Sequence, residues 1–408
     1  MLDLVLRNAR IAGRGTASFD IAFAGGRIAD IASSIAADAP TEDLGGRLVT
    51  PGFVDTHIHL DKSCILDRCR SEHGTLQEAI AQVAAAKRAF TEDDVYERGR
   101  RTLEKAIVQG TTHMRTHVEV DPRIGLKSFA AIRRLKRDYA WAIDLEICVF
   151  PQEGLLNDPG TEELLVEACR SGADLIGGCP YTDSDPHGQI ARIFAIARDF
   201  DLDIDFHLDF DLDASRMNLE EVCRQAEAHR YGGRVAVGHV TKLSALPPQR
   251  LDAMAQRLAA SGVAVTVLPA TDLFLMGRDH DHNVPRGVAP AHKLAAHGVT
   301  CSLATNNVLN PFTPFGDCSL VRMANLYANV AQAGSAPDLA ACFDLVTQQP
   351  ARLMNLDGYG IAIGNPADLV VLDSADPAMA VAELAQPLRG FKRGRASFTC
   401  AAARLHRP

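Results

Sequence analysis

The chain has 408 residues, with 42 Lys+Arg against 51 Asp+Glu and a formal charge of −9. Hydrophobic residues make up 47% and charged residues 23%, enough apolar side chain for a full core, which excludes a mainly disordered chain and any need for disulfides or a structural metal. The acidic balance excludes nucleic acid and anionic membranes as main partners, because both select a net basic surface.

The first fifty residues read as β-structure. Leu2–Leu6 and Phe19–Phe23 are short apolar runs, and Gly25-Gly26 is a turn signal. The N-terminus carries no basic segment followed by an apolar one, and no run of 18 apolar residues follows, so neither a secretory signal nor a spanning helix is expected. Ten cysteines lie between Cys64 and Cys400 with no CxxC pair. That spacing suits reduced, buried thiols in a cytoplasmic protein.

From about residue 50 to 350 helices and strands alternate. A helical stretch, a glycine and a short apolar strand recur at Gly110, Gly172, Gly262 and Gly298. Thr91 and Thr161, each followed by acids, are read as caps that open two of the helices. Strands are predicted at 48–55, 112–118, 144–150, 173–178, 203–209, 235–240, 263–268 and 299–305. Alternation over some 300 residues fits a (β/α)8 TIM-like barrel. An open doubly wound sheet is the alternative, but its Gly-rich phosphate turn is missing after the first strand. Ala367–Leu372 is a further strand, and residues 358–408 resemble the N-terminal fifty in texture. The expected organisation is an α/β fold: a barrel over 50–357 and a small β-sandwich assembled from 1–49 and 358–408.

Three strand ends carry the chemistry. His57-Ile58-His59 closes the first strand, and residues i and i+2 share a side, so two imidazoles face one point at the end where barrels place their sites. Asp203-Ile204-Asp205-Phe206-His207-Leu208-Asp209 alternates strictly, giving one polar face. A polar inner face is costly unless it serves a site, which makes His207 a third ligand with Asp209 beside it; the alternative is an exposed edge strand. Val235–His239 is an apolar strand ending in a single histidine.

Residues Pro51–Ser63, with His57-Ile58-His59-Leu60-Asp61-Lys62, resemble the first-strand motif of the amidohydrolase superfamily. More narrowly the chain is similar to the branch holding cytosine deaminase and N-isopropylammelide amidohydrolase. Thr112–Val118, Val149–Gly154, His207, His239, Leu275–Arg278 and Asn307–Phe312 resemble later motifs of that branch in order. The resemblance implies a metal-dependent hydrolase that activates water with one divalent ion, zinc or iron, and attacks a ring carbon bearing an amino group. It assigns His57, His59 and His207 to the metal, His239 to catalysis and Gln152 to the amide edge of the ring. Lys62 is expected to contact a carbonyl or anionic ring, and Arg278 and Asn307 are expected near the substrate. The loop Gly277–His282 is read as a substrate or lid loop.

Two positions depart from that pattern. The eighth-strand Asp of the family, a ligand and base, is matched here by Asn306, which is neutral. Asp209, Asp272 and Asp317 are the carboxylates read as candidates to replace it. The Glu of cytosine deaminases after the third histidine is matched by Phe210, so Asp209 is assigned as the acid–base group. The expected reaction is cleavage of a C–N bond of a nitrogen heterocycle, with deamination of an exocyclic amine on a pyrimidine, triazine or imidazolone first. Ring opening by a cyclic amidase and a catalytically impaired heterocycle-binding protein are the alternatives. The expected partner is a small heterocycle, with no nucleic acid and no membrane; a homo-oligomer stays open.

Overall fold

The computed structural model describes residues 1–36, 38–401 and 405–406. Eight parallel strands form one sheet in sequence order: β1 (Phe53–Ile58), β2 (Thr111–Glu119), β3 (Asp144–Phe150), β4 (Leu175–Ile176), β5 (Asp203–Leu208), β6 (Val235–His239), β7 (Val263–Val267) and β8 (Cys301–Leu303). The sheet closes on itself where the chain after β8 meets the end of β1. There the N–H of Asn306 donates to the carbonyl of His57 (2.8 Å), and the N–H of His59 donates to the carbonyl of Asn306 (2.9 Å). Helices cover the outside, so this is a (β/α)8 barrel.

Local sequence explains the frame. The Thr91 side chain accepts from the N–H of Asp94 and caps helix Glu92–Val108, as expected. Thr161 differs: it is the first helical residue of Thr161–Arg170, and Gly160, at φ +92°, takes the cap position. Helix Glu92–Val108 buries Val95, Leu103, Ala106 and Ile107 against the barrel, with Val95, Leu103 and Ile107 each contributing about 1.5–3 kcal/mol. Gly110 (φ +91°) then reverses the chain into β2, a turn that only glycine makes without a Cβ clash.

The predicted first strand, 48–55, is two strands. Leu48–Pro51 belongs to a second sheet and Phe53–Ile58 to the barrel. The break falls at Gly52, where a Cβ would lie 2.1 Å from Thr112 Oγ1. The second sheet joins both termini: Leu48–Pro51 pairs antiparallel with Leu369–Leu372 and parallel with Leu4–Ile11. The expected sandwich is one continuously hydrogen-bonded eight-stranded sheet, with Leu6, Ile21, Phe23, Val49, Leu369 and Phe391 in its core. Lys392 ties that sheet to the barrel. Its buried ammonium donates to Asp368 Oδ2 (2.7 Å) and to the carbonyl of Thr112 (3.1 Å), and it lies 2.7 Å from Asp144. All ten cysteines are unpaired, eight of them buried. Among the described residues no helix is long and apolar enough to cross a membrane.

Candidate active site

β1, β5 and β6 deliver the histidines to one place. His57, His59, His207 and His239 are at most 3% exposed. His207 Nε2 lies 3.1 Å from Nε2 of His57 and 3.1 Å from Nε2 of His59. One ring nitrogen each of His57, His207 and His239 falls within 4.8 Å of the others. Burial first, and then the neighbouring imidazoles, push His57 far below the usual histidine range; burial does the same to His59 and His207. All three rings are therefore neutral and carry free lone pairs. The strand is central, paired with β4 and β6, so the edge-strand alternative for residues 203–209 does not hold.

The cluster is built to be stiff. Phe150 stacks on His207 (centroids 4.4 Å apart, 21° between planes), and His117 stacks on His57 (3.7 Å, 23°). Gly238 leaves room for His57, since a Cβ there would meet its ring at 3.1 Å. His239 Nδ1 lies 2.7 Å from Asp272 Oδ1, and the other Asp272 oxygen accepts from the N–H of Leu268 (3.2 Å). Phe210 lies against the His239 ring at 3.8 Å.

These residues fit a divalent cation. Three neutral imidazoles bring lone pairs to a common point, and the Nδ1 atoms of His57, His59 and His207 have no protein partner. Asn306 is fully buried, and neither its side-chain oxygen nor its nitrogen is hydrogen-bonded. Nitrogen donors in this number suit zinc or iron(II).

The other expected residues divide. Lys62 and Gln152 meet: Lys62 Nζ donates to Gln152 Oε1 (3.0 Å) and to Glu119 Oε1 (2.7 Å), all three side chains being buried. Asn307 is buried, with Oδ1 accepting from Asn310 Nδ2 (2.7 Å). The Asp209 carboxylate makes no hydrogen bond to the imidazoles among the described residues. Its φ of +48° ends the strand alternation, and its carboxylate accepts from the N–H groups of Asn218 and Leu219 (3.0 Å each) at the start of helix Leu219–His229. Arg278 is likewise outside the cluster. It is exposed, lies over the Phe274 ring and donates to the carbonyls of Phe274 and His73. Its loop holds no second metal cluster among the described residues; His280 and His282 are exposed, each against the preceding aspartate. Asp317 is exposed and binds Arg322.

Several buried residues to which no motif above assigns a role lie close to the imidazole cluster or to Lys62. On β2, Arg115, His117 and Glu119 alternate, a period-2 signal equal to that of residues 203–209. Arg115 binds the buried Asp205 (2.9 Å), which lies 3.6 Å from His117. Lys87, at the end of a surface helix, carried no signal, yet it is buried and binds Glu119, Asp121 and Glu153. Asp272 was named only as a spare carboxylate; its place beside His239 needed the fold.

The sequence model of the amidohydrolase family matches residues 41–143 and 144–395. The chain belongs to the amidohydrolase family. As an amidohydrolase it is an enzyme acting on C–N bonds other than peptide bonds. It is 28% identical over 406 residues to N-isopropylammelide isopropyl amidohydrolase of Pseudomonas sp. (strain ADP), covering 96% of each chain. The structure of 5-methylcytosine deaminase from Klebsiella pneumoniae liganded with 5-fluorocytosine superposes with a TM-score of 0.94 at 29% identity, over 99% of each chain. N-isopropylammelide isopropylaminohydrolase from Burkholderia multivorans gives 0.86 at 27%, over 97% of this chain and 98% of that one.

Proposed function

We propose that this amidohydrolase is a metal-dependent deaminase that removes an exocyclic amine from an oxygenated nitrogen heterocycle. The observation that carries the reading is the convergence of three neutral imidazoles beside the His239–Asp272 pair. His57, His59 and His207 would hold one divalent ion, zinc or iron. When bound, that ion supplies Lewis acidity for attack by water.

The chain's own groups supply proton transfer and position. Asp272 keeps the Nδ1 proton of His239 in place, so Nε2 is the free base of the pair. His239 Nε2 takes a proton as water adds to the ring carbon and returns it to the nitrogen that leaves. One C–O bond forms, one C–N bond breaks, and ammonia or an amine departs. Asn306 cannot take that proton at neutral pH, which is why the role passes to His239. Phe150 and Phe210 wall the reacting centre from solvent. Gln152, steadied by Lys62, orients the ring edge. The named activities of the two relatives, on N-isopropylammelide and 5-methylcytosine, support this substrate class.

Asn306 favours a second reading, binding of a heterocycle without turnover. The deciding assay loads the purified protein with zinc or iron(II) and measures ammonia or amine release from aminated pyrimidines, triazines and imidazolones while following ring absorbance. Release with the ring absorbance kept is expected. Loss of ring absorbance would instead indicate ring opening, and tight binding without release from any ring would support the second reading.

A further inference from the structure

A metal-binding histidine is ordinarily oriented by a hydrogen bond from its second ring nitrogen. His57 is not: its Nε2 faces His207, and its Nδ1 is buried with no protein partner. Packing must therefore set the plane of that ring. Gly238 closes one approach, since a Cβ there would lie 3.1 Å from Cε1 and Nδ1 of His57. Of the four imidazoles around His57, those of His59, His207 and His239 stand edge-on, at 73–75°. Only His117 lies face-on, with centroids 3.7 Å apart and 23° between planes.

His117 is itself anchored. It shares a face of β2 with Arg115, and Asp205 shares a face of β5 with His207. Arg115 donates to Asp205 Oδ2 (2.9 Å) and, through Nε, to Glu146 Oε2 (3.0 Å). The other Asp205 oxygen, Oδ1, lies 3.6 Å from His117 Nε2 and has no hydrogen-bond partner elsewhere. Arg115, His117 and Asp205 are each at most 2% exposed. Swinging Asp205 away would deprive a buried guanidinium of its buried partner, which is strongly unfavourable. The line of contacts thus runs Glu146, Arg115, Asp205, His117 and ends on the face of His57.

We propose that His117, anchored by Asp205 and Arg115, is a positioning residue of the imidazole cluster: its ring fixes the plane of His57 and with it the direction of the Nε2 lone pair. This goes beyond the proposed function and rests on it for the cation that the lone pair meets. A flat ring holds another flat ring in one plane, whereas an aliphatic side chain fills the space without fixing the angle. Removing a partner that orients a ligand typically costs about 10–100-fold in metal affinity.

The test measures zinc affinity by chelator competition, and the visible absorption of the cobalt(II)-loaded protein, which follows the arrangement of the donors. The unaltered chain is compared with His117→Leu, His117→Phe and a control on the same strand, Met114→Val, whose side chain is buried in the hydrophobic core. His117→Leu is expected to bind zinc about 10–100-fold more weakly and to shift the cobalt bands. His117→Phe keeps a flat ring against His57 but gives up the contact to Asp205, and is expected to lie between His117→Leu and the unaltered chain. Met114→Val is expected to lower the unfolding midpoint while zinc affinity stays within about threefold and the cobalt bands stay in place. Unchanged zinc affinity or cobalt bands in His117→Leu, no loss of affinity in His117→Phe, or an equal loss in Met114→Val would each overturn the positioning role. No zinc binding by the unaltered chain would overturn the metal reading and this inference together. The expected zinc series without ammonia release would refute the deaminase reading alone and leave this one standing.

Discussion

The 2.7 Å contact between His239 Nδ1 and Asp272 Oδ1 gives this chain a carboxylate near its imidazoles by a route other than the eighth strand. Asp272 is fully buried, and burial pushes it up from the ordinary carboxylate range while His239 pulls it back. Asp272→Asn keeps the shape and removes the charge that orients the His239 tautomer. Turnover of the metal-loaded enzyme is expected to fall by about 10² or more, with KM and metal content nearly unchanged. A rate close to that of the unaltered protein would leave Asp272 as a packing residue. At this scale the histidines were legible because a period of two and a strand end are local facts. Asp272 and Lys87 were not, because each acquires its role from a partner brought near by the barrel, and nothing in their own neighbourhoods in the sequence marks them.

The end of β5 shows where local periodicity stops serving. Alternation placed Asp209 on the side of His207, but the strand ends at Leu208 and Asp209 turns to φ +48°. Its carboxylate then serves the N-terminus of helix Leu219–His229, where two N–H groups lack helical partners. Asp209→Ala is expected to lower unfolding stability by about 1–2 kcal/mol. Per bound metal its turnover should stay within about threefold of the unaltered protein. A loss near 10² with unchanged stability would return Asp209 to the acid–base role. The eight barrel strands were readable because each is a short apolar or alternating run between helix and turn signals. The split of 48–55 was not, since Leu48–Pro51 and Phe53–Ile58 are equally apolar, and only the approach of Thr112 to Gly52 shows that the chain changes sheet there.

Across the whole molecule, the terminal sheet and the barrel meet through buried charge. His113, at the start of β2, faces Asp144, Asp368 and Lys392. Burial first, and then Lys392, pushes its pKa down to about 4 from 6.5. The unfolded chain binds that proton near 6.5, so between about 6.5 and 4 the unfolded state carries more protons and stability falls as the pH falls. The loss from this group approaches roughly 3 kcal/mol at the acid end. His113→Gln is expected to flatten the fall in denaturant-unfolding stability between pH 6.5 and 4.5; an unchanged slope would place the acid sensitivity elsewhere. This junction joins positions 280 residues apart, Thr112 in the barrel and Lys392 near the C-terminus, and a sequence pattern does not bring such distant positions together.

The meeting of three neutral imidazoles around one cation is tested most directly by the metal content of the purified protein after exhaustive dialysis, measured beside His207→Ala. One equivalent of zinc or iron per chain is expected, with loss of that equivalent in the variant while the fold, read by circular dichroism, is kept. Full occupancy in His207→Ala, or no retained metal and no metal-stimulated activity in the unaltered chain, would contradict it.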